Sequence, residues 1–139
     1  MRTRITIALG LALLSLVLAT SAALADHPGG GGIKLSSALT GPEGSGTATF
    51  TFNRGQEEVC YEVDSDGPTG VFAAHIHRYP VAPGNIVVGT PLDSSGDGSG
   101  CVPLLRETID AILANAGGYY FNVHTPSHPG GAISGDLTR

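Results

Sequence analysis

Three successive segments of the chain alternate between apolar and polar residues, and this alternation is the strongest constraint on the fold. In the clearest of them, Ala48, Phe50 and Phe52 are separated by threonines. Because neighbouring side chains of a β-strand point to opposite faces, this pattern is typical of a strand with one buried and one solvent-facing side. The three segments lie at 33–39, 47–52 and 58–63. The glycine, proline and asparagine residues between them predict turns, and hence antiparallel strands.

After residue 63 the chain continues mainly as short strands. Further strands are predicted at 71–77, 86–88, 119–125 and 132–137, and a glycine- and serine-rich loop at 93–100. One helix is predicted at 106–115, with a single apolar stripe made of Leu105, Ile109, Ile112 and Leu113. Many short strands, turn signals and one short helix predict an all-β fold, an antiparallel Greek-key β-sandwich of the immunoglobulin-like or superoxide-dismutase-like kind.

The first 25 residues have the organisation of a secretory signal peptide. Arg2 and Arg4 precede an apolar run at 5–19, and an A-x-A cleavage site follows at 23–25. A membrane anchor is the alternative, but the apolar run is shorter than a spanning helix needs. We therefore predict that the mature protein is secreted or periplasmic.

Residues 26–32 form a glycine-rich N-terminal tail, and residues 33–139 form the single predicted domain. Cleavage before Asp26 would leave a free amine beside His27, a pair that can chelate Cu(II). A solvated tail without a metal is the favoured interpretation.

The charge of the mature chain argues against nucleic acid as a partner. Once Arg2 and Arg4 are removed, five basic residues face 12 acidic residues, a net charge of about −7. A nucleic-acid-binding domain of this size normally presents clustered lysine and arginine. No apolar stretch in the mature part is long enough to span a membrane. Neither a partner nor an oligomeric state follows from composition.

Cys60 and Cys101 are the two cysteines of the chain. An even number in an exported protein predicts one disulfide bond. The alternation around Cys60 places it on the more polar side of its strand, so we expect the disulfide on the surface or rim of the sheet. A thiol pair for metal or redox chemistry is the less favoured alternative.

Four of the five histidines belong to two segments, Ala73–His77 and Tyr119–Gly131. His75 and His77 are two residues apart, so they share one face of their predicted strand, while Phe72, Ala74 and Ile76 take the other. Tyr120, Asn122 and His124 share one face of the second strand. If the two strands are neighbours, three imidazoles meet.

We consider three hypotheses for this cluster. The first is a zinc or copper site with His75, His77 and His124 as ligands, supported from outside the coordination sphere by Asn122 and His128. In the second, the same side chains are structural and bond to loop backbone. The third is a surface pocket for a protein segment, a glycan or a small anion.

An enzymatic role has less support in the sequence. The paired histidines and single disulfide loosely resemble copper/zinc superoxide dismutase, but no second cluster of histidine and aspartate suggests a zinc subsite. There is no G-x-S-x-G motif, and no pair of carboxylates suggests acid–base catalysis. We therefore predict a protein without catalytic residues.

Two motifs together resemble the CHRD domain, the module repeated in chordin and found as a single secreted domain in bacteria. They are His75-Ile76-His77-Arg78 and the later Asn122-Val123-His124-Thr125 followed by Pro129-Gly130-Gly131. The resemblance extends over about 33–137. The sequence departs from the family pattern after Arg78 and near its end, where Ala132 and Ser134 replace a carboxylate and a cation.

The resemblance implies a β-sandwich that acts as a binding or structural module. In animal chordin such modules belong to a protein that binds growth factors of the bone morphogenetic class. We therefore predict an exported CHRD-type binding module without catalytic activity, and metal binding through the clustered histidines is the alternative.

Overall fold

The computed structural model describes residues 31–81 and 84–139, so the predicted signal peptide and residues 26–30 of the tail lie outside the described residues. The described part contains eight strands, one α-helix and one short 3₁₀ helix. In chain order they are β1 (Ile33–Gly41), β2 (Gly44–Asn53), β3 (Glu58–Asp66), β4 (Ala73–Arg78), β5 (Ile86–Gly89), β6 (Gly98–Pro103), α1 (Arg106–Ala114), the 3₁₀ helix (Ala116–Gly118), β7 (Tyr119–His124) and β8 (Ile133–Asp136).

The strands form one antiparallel sheet in the order β5-β4-β7-β8-β1-β2-β3-β6. β8, the last strand, lies between β7 and β1 and joins the two halves of the sheet. The halves fold over each other, because the ring of Phe50 on β2 meets the ring of Phe121 on β7 with centroids 5.1 Å apart. The predicted antiparallel β-sandwich with crossing connections and one short helix is confirmed.

The core forms from the apolar positions of the alternating segments. Phe50, Phe52 and Val59 are almost completely buried, whereas the alternating Thr49 and Thr51 lie on the other face and are half-buried. Burying one such side chain contributes about 1.5–3 kcal/mol. The period of two therefore fixes which face of β1–β3 covers the opposite half of the sheet, which carries β4 and β7.

The helix begins at Arg106 and buries Ile109, Ile112 and Leu113, as predicted. The assignment of Leu105 to the buried stripe is wrong, because Leu105 is 61% exposed. Its backbone is extended (φ −57°, ψ 139°), so it precedes the first helical turn and does not share the helical periodicity.

Cys60 and Cys101 form the predicted disulfide bond. They are directly opposite each other on β3 and β6, on the half-exposed side of the sheet. The thiol-pair alternative is therefore wrong, since both sulfur atoms are used in the bond.

The predicted loop at 93–100 is also wrong at its end, because β6 begins at Gly98 and pairs with β3. Within the described residues we find no helix with the length and apolar character needed to cross a membrane.

Candidate metal centre

Strands β4 and β7 are direct neighbours, and their pairing assembles the histidines. In the register of this pair His75 is opposite Asn122, and Ala73 is opposite His124. Ala74 and Ile76 point into the core, so His75 and His77 occupy the other face of the sheet, as the alternation predicts. Phe72 does not follow the prediction for the core face. It precedes β4, is 62% exposed, and its ring centroid lies 6.3 Å from that of His124.

The three imidazoles form a compact triangle. Ring centroids are 5.4 Å apart for His75 and His77, 5.2 Å for His75 and His124, and 5.8 Å for His77 and His124. One nitrogen from each ring can be chosen so that all three lie within 4.8 Å of one another. The structure thus brings together the three residues that the sequence suggested as ligands.

The hydrogen bond made by His124 defines which of its nitrogens carries the proton. Its Nδ1 lies 2.9 Å from the carbonyl oxygen of Pro129. A carbonyl oxygen only accepts, so Nδ1 donates, and Nε2 of the neutral ring keeps its lone pair. Nε2 is buried and has no hydrogen-bond partner in the protein. This arrangement, with one nitrogen held by backbone and the other free, is common in metal-binding histidines.

Unpartnered nitrogens are concentrated in this cluster. Over residues 31–81 and 84–139, seven buried side-chain atoms have no hydrogen-bond partner in the protein, and four of them are ring nitrogens of these histidines. They are His75 Nδ1, both nitrogens of His77, and His124 Nε2. A buried polar group without a partner costs about 1–3 kcal/mol. Such a concentration needs an explanation, and an ion would supply one.

The surroundings of His75 and His77 favour their uncharged forms. Burial lowers the pKa of His75 below the usual 6.5, and the neighbouring His124 lowers it further. Burial also lowers the pKa of His77, with smaller contributions from His75 and His124. Neutral imidazole is the form that binds a metal, so the lowered pKa values keep the rings of His75 and His77 in the form that can coordinate one.

Two tyrosines extend the cluster along the face of the sheet. The ring of Tyr120 stacks on His77, with centroids 5.1 Å apart and planes inclined by 14°. Tyr79 packs on Tyr120 at 4.7 Å and donates a hydrogen bond of 2.6 Å to Asp136. That bond to a carboxylate raises the pKa of Tyr79 to about 12. The period of two placed Tyr120 beside Asn122 and His124, whereas the packing of Tyr79 had no signal in the sequence.

The two predicted supporting residues have different positions. Asn122 donates from Nδ2 to the carbonyl oxygen of Gly130, 3.0 Å away. His128 is outside the three-histidine cluster, and its Nδ1 lies 2.7 Å from a carboxylate oxygen of Glu43. Neither Glu43 nor the Pro129 carbonyl was predicted from the sequence. Glu43 lies far from the histidines in the chain, and every residue carries a backbone carbonyl, so neither contact leaves a sequence signal.

Comparison with known proteins gives a family for the chain. The sequence model described as the CHRD domain matches residues 33–137, from the start of β1 to the end of the sheet. No curated protein and no solved structure matches the chain. The matched range includes all eight strands and the three clustered histidines. Since this range covers most of the sequence, the chain belongs to the CHRD domain family.

Proposed function

We propose that this CHRD domain is an exported binding module that holds one zinc or copper ion through His75, His77 and His124. The observation that carries the proposal is the convergence of three imidazoles on one face of the sheet, with four of their ring nitrogens buried and without a hydrogen-bond partner in the protein. Of the two functions predicted from the sequence, this geometry favours the metal-binding one.

The spacing of the rings is compatible with coordination after small side-chain movements. Zinc–nitrogen bonds of about 2.0 Å at tetrahedral angles place ligand nitrogens about 3.3 Å apart. The chosen nitrogens lie within 4.8 Å, so each ring has to move by about 1 Å or less towards the centre. We expect rotation about the side-chain bonds of the three histidines to supply this movement.

The ligand set indicates which ions suit the site. Three neutral imidazoles without a carboxylate favour zinc or copper over calcium and magnesium, which prefer oxygen ligands. Three protein ligands also leave one coordination position for water or for a group of a partner. The described cluster consists of imidazole ligands alone, so the open position would be the place where a partner group meets the ion.

Export of the mature domain is part of the proposal. The signal-peptide pattern at 1–25 and the Cys60–Cys101 disulfide support it, because such bonds persist in oxidising compartments. In the periplasm or outside the cell, the domain would meet metal ions that cytosolic buffering does not control.

The experiment compares metal binding by untagged mature protein and by a His75→Ala/His77→Ala variant. Zinc is the probe, because the free N-terminal amine and His27 can chelate copper independently. We expect one zinc ion per wild-type chain, and a zinc dissociation constant at least about 100-fold higher for the variant. His27→Ala is the matched control, which removes a histidine outside the cluster and should bind as wild type does.

A structural role for the three histidines predicts a different pattern. Wild type and the double variant would then both bind zinc weakly, and the variant would only unfold at a lower temperature. Thermal unfolding of metal-free samples, measured alongside the titration, separates the two roles. Weak, equal zinc binding by both proteins would refute the proposed function.

A further inference from the structure

His124 depends on an eight-residue loop for its orientation. The loop, residues 125–132, connects β7 to β8, and its Pro129 carbonyl accepts the Nδ1 hydrogen of His124. Asn122 holds the same turn through the Gly130 carbonyl. The next residue, Gly131, has φ +144°, and a Cβ there would lie 2.5 Å from Asn122 Oδ1. The position of the Pro129 carbonyl is therefore set by how the loop is fixed.

The loop is fixed from the outside by one carboxylate. Oε1 of Glu43 accepts hydrogen bonds from Thr125 Oγ1 at 2.8 Å and from His128 Nδ1 at 2.7 Å. The backbone N–H of His128 donates to Thr125 Oγ1 at 3.2 Å, which closes the arrangement. We call Glu43, Thr125 and His128 the Glu43 clamp.

The Glu43 clamp connects parts of the chain that are distant in sequence. Glu43 lies in the turn between β1 and β2, and its backbone N–H also reaches the carbonyl oxygen of Ala132 at 3.3 Å. Thr125 is completely buried. The bonds from His128 and then Thr125 lower the pKa of Glu43, so it remains a carboxylate that can accept from both.

We propose that the Glu43 clamp positions His124 for metal binding, so that Glu43 and His128 set the affinity of a site that neither of them contacts. This inference rests on the proposed function, because it concerns the same three ligands. Glu43 and His128 are positioning residues: they hold the loop, the loop holds the Pro129 carbonyl, and the carbonyl keeps Nε2 of His124 directed to the other rings. Groups that orient metal ligands in this way typically change affinity 10–100-fold when they are replaced.

The test measures zinc affinity and the state of the His124 ring in Glu43→Ala and His128→Ala. We expect the zinc dissociation constant to rise about 10–100-fold in Glu43→Ala, and less in His128→Ala, which leaves the Thr125 bond in place. Glu62→Ala is the matched control, because it removes an exposed carboxylate of β3 that is not part of the clamp. It should bind zinc as wild type does.

Nitrogen-15 NMR of the imidazole rings in metal-free protein gives a readout that a general loss of stability would not produce. Wild type should show His124 in the single form protonated at Nδ1, and Glu43→Ala should show both neutral forms in exchange. Glu43→Gln, which keeps the shape and one acceptor, should lie between them. If Glu43→Ala fails to fold, the same measurements are made on Glu43→Gln.

The outcomes separate this inference from the proposed function. If wild type binds zinc and Glu43→Ala binds it equally well with an unchanged His124 ring, the positioning role is refuted and the metal site stands. If wild type does not bind zinc, the proposed function fails and the inference fails with it. The NMR comparison then shows only whether the Glu43 clamp orients the ring.

Discussion

Replacing His77 by phenylalanine should make the metal-free protein more stable, although it destroys the proposed site. His77 is only 8% exposed, and neither of its ring nitrogens has a hydrogen-bond partner in the protein. A neutral imidazole carries one donor and one acceptor, and each unpartnered buried group costs about 1–3 kcal/mol. Phenylalanine removes both groups and can keep the stacking on Tyr120.

The size of the effect is a difference between two contributions. Removing the two unpartnered groups gains about 2–6 kcal/mol, and fitting the larger ring costs about 1–3 kcal/mol. With the middle of each range, the difference is about 2 kcal/mol, so we expect the free energy of unfolding of metal-free protein to rise by about 2 kcal/mol. For a domain of this size, each kcal/mol corresponds to about 4 °C in melting temperature.

Chemical denaturation with a chelator, and again with zinc, is the assay. At a zinc concentration 100 times the dissociation constant, wild type should gain about 2.7 kcal/mol and His77→Phe nothing, so that the order of stability reverses. His128→Phe is the matched control with the opposite sign, because its Nδ1 donates to Glu43 and the substitution removes that bond.

A second variant separates ring size from polarity. The leucine side chain of His77→Leu is smaller than phenylalanine and has no nitrogen to be left without a partner. The metal-free His77→Leu variant should therefore be at least as stable as wild type. If both variants are less stable than wild type in the presence of the chelator, the nitrogens of His77 are satisfied in the metal-free protein. Unpartnered ring nitrogens at position 77 would then not lower the stability of the metal-free protein.

Three further predictions concern stability. Because the folded-state pKa values of His75 and His77 are lowered below 6.5, the unfolded chain takes up more protons than the folded protein as pH falls below 6.5. The metal-free protein should therefore lose stability between pH 7 and pH 5. In denaturation experiments, the unfolding free energy of His75→Ala/His77→Ala should depend less on pH. Cys60→Ala/Cys101→Ala should lose about 3–4 kcal/mol of unfolding free energy, because the disulfide bond that closes this part of the chain is removed. The variant should still bind zinc normally, since the disulfide joins β3 to β6, away from β4 and β7, and loss of zinc binding by a folded variant would contradict this. Phe121→Ala should lose about 3–5 kcal/mol, because Phe121 is fully buried against Phe50 between the two halves of the sheet; a loss below 1 kcal/mol would contradict the sandwich packing.

The sequence predicted those parts of the fold that follow from local periodicity. Alternation placed Phe50 and Phe52 in the core and put His75 and His77 on one face of β4. It could not identify β6, because Gly98, Ser99 and Gly100 have low strand propensity. That strand exists because β3 pairs with it and Cys101 bonds to Cys60.

The candidate site was predictable only as far as its side chains are distinctive. Three histidines on two strands indicated convergence, but only the strand order shows that β4 and β7 are neighbours. The Pro129 carbonyl that orients His124 is backbone and has no sequence signature. Glu43 was missed because its partners, Thr125 and His128, are brought to it by tertiary structure alone.

X-ray absorption spectroscopy of zinc-loaded, untagged mature protein tests the shared site most directly. We expect one zinc ion with three nitrogen neighbours at about 2.0 Å and the outer-shell scattering of imidazole rings. A spectrum without imidazole scattering, or one that is the same in His75→Ala/His77→Ala, would contradict coordination by His75, His77 and His124.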